Sequence, residues 1–522
     1  MKKLLKLIIC IIISIVIVFL IVKNINLFEN KEINKTSLAD SYINILVVNP
    51  DYYNPLISQN KYVQDMSKLI FEGLTSINSE LKAENNLAKI VEPKENSKKY
   101  RIVLKNNIKF HDGSELTSDD VIFTINKILK LKDESPYYYD VKNIKAVNKV
   151  NKHELKITLN SEDNFLPEKL SFPILPERYY ANKDLKTLKT FIGTGRYKVE
   201  SVTDNEWKLT FNEDYHGERS GNITTINAKI LLKNIQGFEA LKSDEVDMVD
   251  TNVEVGAYGR SAFYSKRYNT GVFEGIVFNL ESEKVKDQNV RQAILLAINR
   301  DSMIENYLGG YADAVSIPIN SASYLFDKGL SSYAYNPEKA QDILTNTGWG
   351  VNSSNIRIKD KVELNIDFLV NEDKEDAKEK AEFIASNLKD IGINVNIVSK
   401  SKDFYEALIK NGEFDMVFTE WALSPYPEFL YCFETNNDKN YSNFSNEDYD
   451  YLVYMAKREV IEDKMKEYFL DMQEMLNSYL PMACLYVKTS TVYYDKDIDG
   501  ELDSNMTDVY KGIENMVRTV ES

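Results

Sequence analysis

Between Val362 and Trp421 the hydrophobic pattern switches repeatedly between a period of two and the period of a helix, and no other feature constrains the fold of this chain as strongly. Val362, Leu364, Ile366 and Phe368 alternate as a strand. Ala377, Ala381, Ile384, Leu388 and Ile391 then step by four and three along one helical face, and Gly392 stops that helix. Ile393, Val395 and Ile397 alternate again, Phe404 to Lys410 reads as a short helix ending at Asn411-Gly412, and Phe414 to Trp421 is a third strand. The order βαβαβ predicts an α/β fold in which helices cover a parallel sheet. Ligands of such sheets sit beyond the carboxyl ends of the strands, and Trp421-Ala422-Leu423-Ser424-Pro425-Tyr426 occupies a position of that kind.

Other elements are punctuated by their caps. Tyr42 to Val48 opens the folded region as a strand. Thr117 followed by Asp120 is an acidic variant of the capping box, and Val121, Ile125 and Ile128 then predict a helix from near Ser118. Asn336-Pro337 places a capping side chain ahead of a proline at the first helical position.

The amino terminus carries a different signal. Lys2, Lys3 and Lys6 precede an apolar run from Leu7 to Val22, interrupted by Ser14 and closed by Lys23. Counted from Leu4 to Val22, a helix rising ~1.5 Å per residue spans about 28 Å, close to the hydrocarbon thickness of a bilayer. The small-residue pair of a cleavage site, Ser37 and Ala39, lies far downstream, and Cys10 follows Leu7-Ile8-Ile9 without the small residues that precede a lipidated cysteine. The expectation is one retained transmembrane helix over residues 1–23, a polar tether over 24–40, and a single-pass membrane protein whose bulk lies outside the cell, because the lysines cluster ahead of the span.

A chain of 522 residues predicts two or three packed domains, and a net charge of -16 leaves no basic surplus for nucleic acid. Cys432 and Cys484 are the only possible bridge in the folded part and read better as small buried groups. His111, His153 and His216 lack metal-ligand spacing, Gly193-Thr194-Gly195 is too short for a dinucleotide loop, and no nucleophile elbow or ordered catalytic triad occurs. No metal, no cofactor and no enzymatic activity are therefore expected.

A set of motifs in fixed order goes further. Ile108-Lys109-Phe110-His111-Asp112-Gly113-Ser114 with Leu116-Thr117-Ser118-Asp119-Asp120-Val121 comes first, then Gly193-Thr194-Gly195-Arg196-Tyr197-Lys198-Val199. Phe278-Asn279-Leu280, Asn289-Val290-Arg291-Gln292-Ala293-Ile294, Tyr335-Asn336-Pro337-Glu338-Lys339-Ala340, Gly412-Glu413-Phe414-Asp415-Met416 and Tyr441-Ser442-Asn443 follow. From about Tyr42 to Tyr494 the chain thereby resembles the family 5 solute-binding proteins, the oligopeptide, dipeptide and nickel receptors of ABC importers, with Arg196 in place of the family's proline.

The resemblance implies a two-lobed periplasmic-binding-protein fold of type II with an extra domain. Lobe I would comprise 41–71, 186–284 and 487–522, the extra domain 72–185 and lobe II 286–486, with chain crossings near Lys284 and Val487. It implies a monomer that takes a small oligopeptide-like solute and meets the permease subunits of an importer. A metal chelate, a glycan or a role as a surface sensor are the alternatives. His111, Asp112 and Gly113 would form a structural turn, and Gly193 and Gly195 another. The expected solute contacts are Tyr52, Tyr138, Phe273, Trp421, Leu423, Ser424, Tyr426 and Glu428. Trp421 matches the family's cleft tryptophan, whereas Tyr137-Tyr138-Tyr139 reads equally as cleft wall or as loop aromatics. Peptide receptors of the family commonly place an aspartate where this chain has Ser424; either Glu420 or Glu428 supplies the charge opposite a solute ammonium, or the solute's amine is blocked, or the solute is not a peptide. Glu428 is preferred, because Glu420 alternates away from Trp421 along the strand.

Overall fold

The structure is a computed structural model and describes residues 40–231, 237–252 and 261–519. The expected membrane helix and all but the last residue of the tether lie outside these residues; among the described residues no helix is long and apolar enough to cross a membrane.

The βαβαβ stretch forms as its periods require. Strands Asn365–Asn371 and Asn394–Lys400 pair in parallel, and Asn365–Asn371 pairs in parallel with Met416–Ala422 on its other side. The intervening helices are Ala377–Lys389 and Lys402–Asn411. Ala377, Ala381, Ile384 and Leu388 are buried, while Ile391 packs just beyond the helix end, next to Gly392 at φ +85°. One buried position on this helix is not apolar. The Lys380 ammonium lies 3.0 Å from a carboxylate oxygen of Glu274, and that carboxylate also takes Lys488 at 2.6 Å and the Tyr486 hydroxyl. A fully buried cation is tolerated there because its counter-charge is buried with it.

These parallel strands are one end of a larger mixed sheet. Beyond Met416–Ala422 come Tyr264–Phe278, Met482–Tyr494, Met248–Thr251, Ser41–Val48, Ile223–Leu231, Glu206–Phe211 and Tyr197–Val202. Tyr264–Phe278 and Met482–Tyr494 run antiparallel through both ends of this sheet. Their first stretch pairs Tyr264–Asn269 with Thr489–Tyr494, and the second pairs Phe273–Val277 with Met482–Val487. The register breaks between Asn269 and Phe273, opposite Lys488.

The cores follow the same division. One cluster joins Ile43, Ile45, Leu69, Trp207, Ile226 and Val492 to Ile102, Val121 and Ile157. The last three belong to an antiparallel sheet of Ala88–Lys94, Lys99–Leu104, Glu154–Leu159 and Ile144–Asn151, and to the helix Ser118–Leu131. Thr117 and Asp120 cap that helix, with the Thr117 N–H donating to Asp120 at 2.8 Å. The other half of the molecule packs around Ile294, Ile366, Leu388 and Leu485, and around Val417, Tyr449, Phe469 and Cys484. Cys432 and Cys484 are both free thiols.

Candidate functional site

Two motifs far apart in sequence meet in the first half. The His111 N–H donates to the Gly193 carbonyl at 2.8 Å, and His111 Nε2 lies 3.0 Å from the Gly195 carbonyl oxygen. Gly113, at φ +80°, closes the turn by donating to the Phe110 carbonyl, and the Asp112 carboxylate accepts from the Ser114 N–H at 2.9 Å. A Cβ on Gly193 would stand 2.1 Å from the Ile70 carbonyl oxygen, and one on Gly195 2.5 Å from the backbone of Leu69 and Ile70. Burial drives the His111 pKa down, although the Gly195 carbonyl favours the charged ring. Nothing here presents an imidazole to a substrate; the pair of motifs fastens backbone to backbone. Arg196, at the position of the family's proline, is buried and lies 3.1 Å from Glu514 and 3.4 Å from Asp508, so it ties this segment to the C-terminal region.

The carboxyl ends of the parallel strands lead to a cavity of about 270 Å³. Ser424, Pro425 and Tyr426 form one wall; Gln64, Asp65 and Lys68 of the helix Lys61–Ile70, with Tyr137 and Asp140, form the other. The Tyr426 hydroxyl donates to Asp140 at 3.2 Å, and the Tyr137 hydroxyl donates to Gln64 at 2.6 Å. Desolvation raises the Asp140 pKa to about 7 against the opposing pull of Lys169, and raises Asp65 to about 6 against Lys61. It lowers Lys68, opposed by Asp508, Asp140 and Asp65. The pocket is thus rich in carboxyl groups, two of them partly withdrawn from solvent, an environment that strengthens the attraction of a cation. Met506 closes one side and also lines a larger neighbouring cavity of about 540 Å³.

The expected contact residues separate sharply. Ser424 and Tyr426 line the 270 Å³ cavity, while Leu423 is buried beside it against Ile319 and Phe429. Glu428 has another partner, lying 3.0 Å from the Lys169 ammonium and accepting from the Ser424 hydroxyl at 3.2 Å. Glu420 pairs with Lys374 and Lys488, each at 2.8 Å; burial opposes its ionisation, yet these bonds hold its pKa down to about 2. Trp421 is half-buried, stacks on Tyr441 with ring centroids 5.7 Å apart and meets Phe429 edge-on at 5.1 Å; it is not among the residues lining this cavity. Phe273 is wholly buried, because its strand lies between two others and is covered on both faces. Tyr52 and Tyr138 are half-buried and do not line this cavity. Of the Tyr137-Tyr138-Tyr139 run, read equally as cleft wall or loop aromatics, Tyr137 lines the cavity; Asp140 was not singled out, and its spacing of three from Tyr137 at the short helix Tyr138–Val141 was the available signal, since it puts both on one side of a helical turn.

Residues 82–443 match the family described as bacterial extracellular solute-binding proteins, family 5. The oligopeptide-binding protein AppA of Bacillus subtilis is 26% identical over 488 residues, covering 88% of each chain. The nickel-binding periplasmic protein of Escherichia coli is 24% identical over 401 residues, covering 74% of this chain and 75% of that one. Among solved structures, the unliganded open form of the periplasmic murein tripeptide-binding protein MppA superposes with a TM-score of 0.79 at 19% identity, covering 92% of this chain and 97% of that one. The nonapeptide complex of Bacillus subtilis AppA gives 0.64 at 22% identity, covering 92% and 100%.

Proposed function

The chain belongs to the bacterial extracellular solute-binding proteins of family 5, and on that premise we propose that it captures an oligopeptide-like solute outside the membrane and delivers it to the permease subunits of an ABC importer. The observation that carries this reading is the acidic cavity made jointly by the strand-end residues Ser424 to Tyr426 and by Tyr137 and Asp140 from the other half of the molecule. A solute held by both halves favours the arrangement in which both touch it, and capture needs only that difference in affinity, with no bond made or broken. The likeness to oligopeptide-binding AppA over most of both chains supports a peptide; the likeness to a nickel-binding protein keeps a metal chelate as the second reading. In this proposal Tyr264–Phe278 and Met482–Tyr494 serve as the hinge between two lobes, and the apolar run from Leu4 to Val22 holds the receptor at the membrane.

Mass spectrometry of solute released from the purified protein on denaturation tests the reading. Released peptides are the expected outcome, and a metal chelate or a glycan in their place would replace it. Intact-mass measurement on the native membrane form should find residues 1 to 23 retained; an N-terminus after Ala39 would show the run to be a cleaved leader.

A further inference from the structure

Phe165 and its neighbour Leu166 are packed into different cores. Leu166 is buried with Ile102 and Ile157 in the cluster that joins the four-stranded antiparallel sheet to the first half of the molecule. Phe165, only 1% exposed, belongs to the cluster of Val417, Tyr449 and Phe469, whose other buried members all come from between Phe273 and Val487. Its ring stacks on Tyr426 with centroids 5.2 Å apart and lies 5.6 Å from Phe469. Tyr426 lines the acidic cavity and Phe165 does not. Polar contacts follow the same seam. The Tyr431 hydroxyl donates to Asn164 at 3.2 Å, and Arg458 lies 3.1 Å from Glu162. A second contact lies at the hairpin of Thr75–Ile77 and Ala83–Asn85, where the Tyr324 N–H donates to the Glu80 carbonyl at 2.9 Å and Lys82 pairs with Glu462 at 2.7 Å.

The antiparallel sheet shares a continuous core with Ile43, Ile45 and Trp207, so it moves with the first half as one body. When the halves separate, Leu166 stays in that core. Consecutive Cα atoms are only about 3.8 Å apart, so Phe165 cannot follow the second half and its ring must leave Tyr426 and Phe469. Withdrawal exposes a large aromatic side chain and empties the place it filled, and both effects oppose separation. The half-exposed ion pair of Lys82 and Glu462 adds little, so the ring carries most of the resistance. Resting on the solute-capture reading above, we propose that Phe165 is a clasp: it holds part of the population closed before any solute arrives, and raises solute affinity without touching the solute. A solute that needs both halves binds only the closed fraction, so the measured Kd is the intrinsic one divided by that fraction.

The test uses the full chain in detergent, dialysed free of solute, in a Cys10→Ala, Cys432→Ala background. Spin labels are carried by Asn126→Cys on the helix Ser118–Leu131 and Lys466→Cys on the helix Glu462–Tyr479, both exposed positions on opposite halves. Electron-spin distance measurement is expected to find two populations, the shorter matching the structure, and Phe165→Ala should deplete the shorter one about tenfold. Retention of a pool of short random-sequence peptides should fall in the same proportion. Phe165→Leu, which keeps an apolar side chain and loses the stack on Tyr426, should give an intermediate depletion and decides the matter should the alanine variant not fold. A shorter population missing from the solute-free protein with Phe165 intact, or left undiminished by these variants, would overturn the clasp. Peptide retention unchanged while the shorter population is depleted would overturn it as well. Peptides retained by none of these proteins would instead defeat the peptide reading, and the distances, measured without solute, would still decide the clasp.

Discussion

The Tyr426 hydroxyl donates to the Asp140 carboxylate at 3.2 Å across the cavity, joining the loop after the last parallel strand to a residue of the opposite half. Asp140 thus lies beside Ser424, where the family's peptide receptors commonly carry an aspartate of their own. Because burial raises its pKa to about 7, Asp140 carries full charge only above that pH. Affinity for a solute with a free amine should therefore rise up to about pH 7, by as much as tenfold per unit below it, and then level off. Calorimetry across pH 5 to 8 checks this, and Asp140→Asn should flatten the profile and weaken binding of unblocked peptides about tenfold. In the ligand-free protein the sign reverses. A carboxyl raised in the folded state loses its contribution to stability as pH climbs through about 7, so Asp140→Asn should stabilise the empty protein at pH 8 and change it little at pH 4.

His111 provides a second pH signature. Burial lowers its folded-state pKa, so the unfolded chain takes up a proton first, near pH 6.5. Stability should be intact above that value and fall as pH drops below it, until the folded state also titrates. His111→Gln, which can still donate to the Gly195 carbonyl without titrating, should show a shallower loss between pH 6.5 and 5 in urea unfolding followed by circular dichroism.

Two glycines of the paired motifs should respond differently to alanine. Gly195→Ala drives a Cβ to 2.5 Å from the backbone of Leu69 and Ile70, which cannot rotate away, and should cost about 3 kcal/mol. Gly113→Ala meets open space and has only its φ of +80° to contend with, so roughly 1 kcal/mol is expected. Denaturant midpoints of the two variants give the comparison.

The strand break between Asn269 and Phe273 contains Gly271 at φ +77°, packed so closely that a Cβ there would stand 2.5 Å from Met506 Cε. If the two long strands bend at this break, small-angle scattering should show a smaller radius of gyration when solute binds. Gly271→Ala should reduce that change and weaken binding, since the backbone angle and the Leu423 carbonyl oxygen, 3.0 Å from the new Cβ, resist the methyl group while the flexible Met506 must move aside.

How far each feature was legible depended on the range of the interactions behind it. The strand and helix order from Val362 to Trp421, the caps at Thr117 and Asn336, and the turn at Gly113 were readable because each is set by neighbours within a few positions, where side-chain periodicity and backbone angles are decided. The family itself could be read from motifs of the same local kind. Tertiary structure alone decided that Lys380 is buried on Glu274, that Glu428 is held by Lys169, and that Asp140 faces Ser424. Hydrophobic period says which side of an element turns inward and nothing about which distant charge meets it there. A carboxylate reaches a cavity, or is neutralised on the way, through contacts between segments hundreds of residues apart. The same holds for Phe273, whose burial between two neighbouring strands no local pattern announces.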